Sequence, residues 1–576
     1  MVVTSTEEPL LGGPPTEAAR PPLYERLVGR LYADAGRRRL VDWLAPVLIT
    51  LIAGILRFAN LGQPHALVFD ETYYVKDSWS QWNLGYPATW PDGADESFVA
   101  GDTNVFTTMG SFVVHPPLGR MLIGLGMFLT GADSSAGWRL ATAVFGTALV
   151  LLVYLVAKTL TSSTVFASVA GGLMAIDGLA IVMSRVALLD VFLAFFVLLG
   201  IWFVILDRKT HAARFRTPAA GGAPWGPVRW NRPWLLAAGA ALGAASAVKW
   251  SGLYVIAAVG LYVVVSDALL RRRAGVAMWP TDAAFRQGAV SFLLLVPAAA
   301  VVYLASWTGW LTTTGGWARD AADAHPATGF LGWVPLALQS LWDYHRQIYD
   351  FHVGLTSPHS YASPAWQWPL LVRPTSMYYH QDAFGEAGCG AVNGCVQNIY
   401  SMPNPLLWWA GVAAVLWIAY RFVRTRDARL AVVLVGAGAT YLPWLLYPER
   451  TIFEFYTIAI LPFMVLAVTF ALRDVAGLAR AATAPAATVG EDVPGAAVAT
   501  DVPGASVASV ASVASVASVA SVASVASVER RRTGQRIVLV FLALVLATAI
   551  FWYPVLTAMP VPYDFWRAHN WLPSWI

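Results

Sequence analysis

The stretch VDWLAPVLITLIAGILRFA at residues 41–59 is followed, after a short turn, by Val68-Phe69-Asp70-Glu71-Thr72-Tyr73-Tyr74, and the rest of the chain is read outward from this pair. A hydrophobic run of roughly twenty residues is the length of a helix that crosses a bilayer core. Two adjacent carboxylates just beyond it stand at the lipid–water boundary. There an acid pair can take a proton from a hydroxyl while a second reactant arrives from the bilayer. An acidic dipeptide in a loop is more often only a solvated turn, so its surroundings decide.

Of 576 residues, 57% are hydrophobic, 12% are charged and 26 are tryptophan, the balance of a polytopic membrane protein. The net charge of +4 comes largely from arginine clusters between apolar segments, so it reports orientation. No basic, aromatic-interleaved groove argues for nucleic acid. Residues 1–36 are rich in Pro, Glu, Ala and Arg, lack the apolar core of a signal peptide, and read as a disordered cytoplasmic tail.

Apolar spans are readable at 41–59, 138–158, 163–182, 187–206, 233–249, 251–267, 288–307, 405–422, 428–447, 455–472 and 536–556, about eleven crossings of an all-α membrane domain. The stretch 118–130 is shorter and follows His115-Pro116-Pro117. Left as an interfacial helix, it allows Arg37–Arg39, Arg208 with Lys209, Arg271–Arg273, Arg421–Arg429 and Arg530–Arg536 all to be cytoplasmic; counted as a span, it scatters them. The expected topology is therefore N-terminus inside and C-terminus outside. Two aromatic-rich extracytoplasmic loops, about 60–137 and 311–404, belong to a catalytic domain at 37–472. Residues 473–535, with Ala-Ser-Val triplets from Ala505 to Val528, read as a low-complexity cytoplasmic linker without a stable fold. Residues 536–576 supply the last span and an outer tail rich in tryptophan.

Ionisable residues near the membrane point to function or to helix pairing. Asp177 lies within the third span. Arg185 and Asp190 are close enough to pair with each other, or to cap the outer turn. Arg139 opens the second span, where it would snorkel to headgroups or neutralise a phosphate. Lys249-Trp250-Ser251-Gly252 sits at an outer turn after Gly239, Gly243 and Ser246, small residues that let helices approach closely. A compact ammonium beside Trp250 suits a phosphate or a sugar. Arg450 would complete a cationic rim with Arg139 and Lys249, unless Glu449 or Glu454 pairs with it. In the second loop His352, His359, Tyr361, Trp366 and Trp368 combine aromatic faces with hydrogen bonders, as sugar sites and interface anchors both do. Cys389 and Cys395, in one Gly-rich loop, would bridge in an oxidising compartment. No HExxH, P-loop, GxSxG or CxxC spacing occurs, so zinc, nucleotide and acyl-transfer chemistry have no support.

Phe69-Asp70-Glu71, His115-Pro116-Pro117-Leu118-Gly119-Arg120, Ser184-Arg185 with Leu188-Leu189-Asp190, Lys249-Trp250-Ser251-Gly252-Leu253 and Trp366-Gln367-Trp368-Pro369 with Arg373-Pro374 occur in an order that resembles the protein O-mannosyltransferases. The resemblance runs from about Leu40 to Tyr456. It implies a GT-C fold with eleven spans and inverting transfer of mannose from a polyprenyl-phosphate carrier to Ser or Thr hydroxyls of exported proteins. It also implies Asp70 as general base, Glu71 as positioning acid and Arg139 on the donor phosphate. His115, Lys249, His359 and Arg450 are additions to that pocket. The second loop is too short for the β-trefoil MIR domain of eukaryotic members, and Phe455-Tyr456 stands where those tend to have His-Tyr. Both departures resemble the actinobacterial branch, which implies a bacterial plasma membrane, with the bilayer and the secretion translocon as expected partners.

The reaction so read demands no cofactor, although adjacent carboxylates such as Asp70 and Glu71 can chelate a divalent ion. One alternative is a GT-C transferase acting on an envelope glycan or lipid. Another is a secondary transporter, which would show inverted repeats and midplane charges; no repeat is visible among the spans.

Overall fold

A computed structural model describes residues 21–213, 223–478 and 508–576. It divides into a small unit, drawn from the described residues up to Leu40 together with Leu472–Phe541, and a large unit of Val41–Ala471 and Leu542–Ile576. The expected spans fall on helices: α2 (Ala35–Phe58), α6 (Ser135–Thr161), α7 (Thr164–Ile176) with α8 (Gly178–Val182), α9 (Asp190–Ala213), α10 (Pro233–Val248) and α11 (Ser251–Arg273). The later ones are α13 (Gly288–Ser306), entered through the short α12 (Trp279–Thr281) and a π turn, then α16 (Pro405–Thr425), α17 (Ala428–Tyr441), α18 (Leu461–Val475) and α19 (Ala508–Leu556). Among the described residues eight helices are long and apolar enough to cross a membrane.

Burial sorts these helices by role. On α2, Leu44, Leu48, Leu51 and Ile55 face outward, as lipid-facing side chains do. By contrast α9 is apolar all round and largely buried, and it packs on α6 and α10 at the centre. Small residues bring α10 against α13: a Cβ on Gly239 would lie 2.4 Å from the Leu295 carbonyl oxygen, and one on Gly243 2.5 Å from that of Ala299. The Arg208 and Arg271 clusters are tied into buried ion pairs. Arg232 Nη2 donates to Asp207 at 2.5 Å and its Nη1 to Asp267 at 2.8 Å, Arg208 also pairs with Asp267, and Arg271 Nε donates to Asp282 at 2.6 Å.

Asp177 is structural. It breaks the third span by capping α8, accepting from Ala180 N at 3.1 Å and, through its second oxygen, from Asn404 N at 3.0 Å. Arg57 is a buried charge with no early signal beyond its place in an apolar run. Its guanidinium donates to the carbonyls of Met174 and Ala175 that end α7.

The first loop holds α3 (Glu71–Leu84), α4 (Ala94–Val99) and α5 (Leu118–Thr130). Thirteen residues give α5 a length of about 20 Å, too short for the ~30 Å bilayer core. The second loop holds α14 (Thr308–Thr312) and α15 (Leu336–Gly354). Tyr344 of α15 joins the loops, accepting from Val113 N at 3.0 Å and donating to Val113 O at 3.1 Å amid Tyr86, Trp307 and Trp310.

The helical fold carries one small addition, and two expectations change. β1 (Thr375–Asp382), β2 (Cys395–Ser401) and β3 (Val561–Pro562) form an antiparallel sheet in the order β1-β2-β3, with Thr375 opposite Ser401 and Asp382 opposite Cys395. At eight and seven residues, β1 and β2 are too short and too polar for a search for twenty-residue apolar spans to find them. In the expected disordered tail, residues 1–20 lie outside the described residues, but Leu23–Leu31 forms α1. In the expected unstructured linker, 479–507 lie outside them too, while α19 begins at Ala508. Alanine and serine there, free of Pro and Gly, raise little objection to helix. The C-terminal tail folds through α20 (Tyr563–Arg567), and Trp575 is buried, donating to Leu371 O at 2.6 Å.

Candidate active site

The acid pair is split by its backbone. Phe69 adopts φ 52°, a conformation costly for a residue with a Cβ, and its ring is held edge-on by His359, Phe453 and Phe455 at 5.6–5.9 Å. The kink sets Asp70 at the N-cap of α3 and Glu71 in its first turn, pointing elsewhere.

Glu71 is fully buried and saturated. It accepts from Arg139 Nε and Nη2, both at 2.8 Å, from Val68 N at 2.9 Å and from Ala187 N at 2.7 Å. Arg139 spends its other donors on the carbonyls of Leu61, Pro64 and Ala66. All five of its N–H groups are thereby used within the protein, and none points at an open site. It is the clamp that fixes Glu71, and Glu71 in turn pins the start of α3 to the turn before α9.

The Asp70 carboxylate has no hydrogen-bond partner among the described residues. Burial raises its pKa to about 6, with Lys249 pulling it down and Asp190 pushing it up. A carboxylate that is free, desolvated and able to ionise near neutral pH is suited to general-base work.

Lys249 and Asp190 form the second element. The ammonium donates to both Asp190 oxygens, at 2.8 and 2.9 Å, and lies 4.5 Å from the ring centre of Tyr456. Asp190 therefore pairs with Lys249, not with Arg185. Arg185 turns away and donates to the carbonyls of Arg57, Ala59 and Asn60, capping the end of α2. It does not line the cavity described below.

Beside Lys249 opens a cavity of about 1540 Å³, walled mainly by apolar side chains of α10, α11, α13, α15 and α17. Its polar end carries Lys249, Trp250, His115, His352, Arg450 and Tyr456. Arg450 pairs with neither Glu449 nor Glu454. Its Nη2 donates to His352 Nδ1 at 2.9 Å, its guanidinium lies 5.6 Å from the Trp444 ring, and its buried Nε has no partner. His352 donates from Nε2 to Val114 O at 2.8 Å, so the ring is the neutral tautomer. Burial, then Arg450, lowers its pKa to about 4. His115 is held neutral in the same way, its pKa well below the usual value through burial and then Lys249, and its ring lies 5.1 Å from that of His352.

Trp250 stacks on His345 at 5.6 Å and donates to Tyr303 Oη at 3.0 Å. Of the remaining loop residues, His359 is exposed beside Phe69, and Tyr361 lies under Arg373 at 5.0 Å. Trp366 is exposed, whereas Trp368 is core, buried and donating to Ser363 O at 2.8 Å. Neither Trp366 nor Trp368 lines the cavity. Two groups went unread in the sequence: Tyr456, which covers the Lys249 ammonium, and Arg120, which holds the His115 carbonyl at 2.7 Å and Gln81 at 3.1 Å. An arginine three residues after the His115-Pro116-Pro117 turn is the signal for the second. Cys389, in the loop after β1, is disulfide-bonded to Cys395, the first residue of β2.

Residues 133–308 match the family model for dolichyl-phosphate-mannose-protein mannosyltransferase, and residues 337–575 match the C-terminal four-transmembrane region of protein O-mannosyltransferases. The polyprenol-phosphate-mannose–protein mannosyltransferase of Mycolicibacterium smegmatis is 32% identical over 93% of each chain. The chain belongs to the protein O-mannosyltransferase family. A relative of the same name from Corynebacterium glutamicum is 31% identical over 76% of this mannosyltransferase and 84% of its own length. The fold is the GT-C fold of the S. cerevisiae Pmt1-Pmt2 complex bound to the sugar donor: TM-score 0.64, 14% identity, and coverage of 96% of this chain and 95% of that one. This mannosyltransferase is a multi-pass membrane protein.

Proposed function

We propose that this mannosyltransferase moves mannose from polyprenyl-phosphate mannose to Ser or Thr hydroxyls of exported proteins, with inversion, on the extracytoplasmic side of a bacterial plasma membrane. The observation that carries the reading is the free Asp70 carboxylate coupled to Lys249, which also borders the apolar cavity. The mycobacterial relatives are named for this donor and for protein acceptors, and the cavity has the apolar lining and size for a polyprenyl chain. The disulfide supports placing the hairpin, and hence the site, in an oxidising compartment.

In the reaction, Asp70 accepts the acceptor hydroxyl proton as its oxygen attacks C1 of mannose and the C1–O bond to the lipid phosphate breaks. The donor phosphodiester carries one negative charge, and a second develops as it leaves. Arg450, with its unpartnered Nε, and Lys249 are the cations placed to balance it, and Glu71 and Arg139 hold the base in place. By this account no metal is required. Alignment of base, acceptor and donor in a partly dry pocket supplies much of the acceleration.

The test is transfer of radiolabelled mannose from polyprenyl-phosphate mannose to a Ser/Thr-rich peptide in membranes carrying wild type or Asp70→Asn. Transfer by wild type, with loss of at least about 100-fold in the variant, is the expected result. Labelling of an envelope glycan or lipid, with no labelling of peptide, overturns the acceptor assignment.

A further inference from the structure

From Ala327 to Trp342 no residue carries a charge, yet the segment holds some of the most exposed apolar side chains of the large unit: Phe330 is 87% exposed, Trp333 75% and Trp342 69%. This is a built tip. A 3-10 turn, Gly329–Leu331, is closed by Gly332 N donating to Gly329 O at 3.1 Å. Gln339 clamps both sides of it: its Oε1 accepts from Ala327 N and its Nε2 donates to Val334 O, each at 2.7 Å. Ser340 Oγ accepts from Ala322 N at 3.0 Å. The clamps order the backbone while leaving the large side chains outside, a costly arrangement unless something apolar covers them.

The helix that follows indicates the cover. On α15, Leu341, Tyr344 and Ile348 face the protein core, while Trp342, Tyr349 and Val353 form an exposed stripe on the other side. That stripe lines the apolar cavity together with Leu253 of α11 and Phe292 of α13, exposed residues on two helices that span the membrane. The outer face of α15 is thus continuous with a lipid-facing surface. A tryptophan-bearing edge at the end of membrane helices, uncharged from Ala327 to Trp342 and carrying the exposed Arg346 within the α15 stripe, is what the headgroup–acyl boundary selects, apolar rings inward and a cation at the headgroups.

We propose that Phe330, Leu331 and Trp333, continued by the Trp342–Val353 stripe of α15, form a wedge inserted into the outer leaflet, which keeps the mouth of the cavity open to bilayer lipid. The occupant is lipid, and the contact does not depend on which sugar or acceptor the enzyme uses.

Because the two cysteines of the chain are bridged to each other, a single introduced thiol can be labelled selectively. Phe330→Cys and Trp333→Cys, with the exposed Asp323→Cys of the same loop as control, are labelled with an environment-sensitive nitrobenzoxadiazole dye. Each is reconstituted into phosphatidylcholine–phosphatidylglycerol vesicles with or without lipids brominated near the top of the acyl chain. Blue-shifted emission at 330 and 333, quenched by brominated lipid several-fold more than at 323 and independent of protein density in the vesicle, is the expected result. Quenching at 330 and 333 no greater than at 323 overturns the proposal. So does shielding from iodide that grows with protein density without lipid quenching, which would assign the tip to a second copy. Each readout keeps its meaning if no mannosyl transfer is observed.

Discussion

Replacing Arg139 with alanine separates the two roles an arginine at this position could play. It removes two charge-assisted hydrogen bonds from Glu71 and the donors to three carbonyls, leaving Glu71 with only the Val68 and Ala187 amides. Both side chains are fully buried, so water cannot replace the lost partner. Breaking a buried pair from one side costs about 3–5 kcal/mol. Arg139→Lys recovers only part of this, since one ammonium cannot reproduce a five-donor fork. The assay is the thermal midpoint of purified protein in detergent, followed by fluorescence-detected gel filtration, beside donor titrations on whatever protein remains folded. The expected outcome is a midpoint lower by several degrees in Arg139→Ala, with loss of transfer following loss of fold. A variant with an unchanged midpoint and only a weakened donor affinity would refute the clamp and restore the phosphate-contact role.

The transfer rate should fall about tenfold per pH unit below about 6, because Asp70 must be ionised to act as a base and its folded pKa lies near 6. Stability should respond in the opposite sense: this carboxyl favours the fold most below 3.8, its ordinary value, and that contribution is lost as pH rises through about 6, so rate and thermal midpoint diverge between them. Lys249→Ala strands the buried Asp190 carboxylate and should lower both midpoint and transfer, while the double variant Lys249→Met with Asp190→Leu regains midpoint but not transfer. His352→Leu should release Arg450 and raise the donor KM roughly tenfold, whereas His352→Gln, which can accept from Arg450 and donate to Val114 O, should keep most of the affinity; equal KM values for the two would sink the positioning role.

Much of the chain was legible from residue order. Hydrophobic runs identify membrane helices because a bilayer leaves the backbone no other way to satisfy its hydrogen bonds, and so the spans were readable one by one. The ordered motifs around Asp70, Lys249 and Trp366 carried the family because each is a short local string. What a lone charged residue pairs with is another matter. From sequence, Arg139 and Lys249 both suit a phosphate and Arg185 a pairing with Asp190, and only the packing of α3, α6 and α9 shows that Arg139 goes to Glu71, Lys249 to Asp190 and Arg185 to the end of α2. Arg450, a rim cation unless an adjacent glutamate takes it, reaches His352, nearly a hundred positions away. Trp366 and Trp368, two residues apart, end on opposite sides of the surface because a 3-10 turn separates them. Sequence determined which segments form long apolar helices and that an acid pair follows the first of them, since both follow from local hydrophobicity and spacing. Tertiary structure decided which charges remain unspent, because a buried guanidinium or ammonium goes to whichever carboxylate or carbonyl the fold brings within about 3 Å, and sequence distance does not measure that.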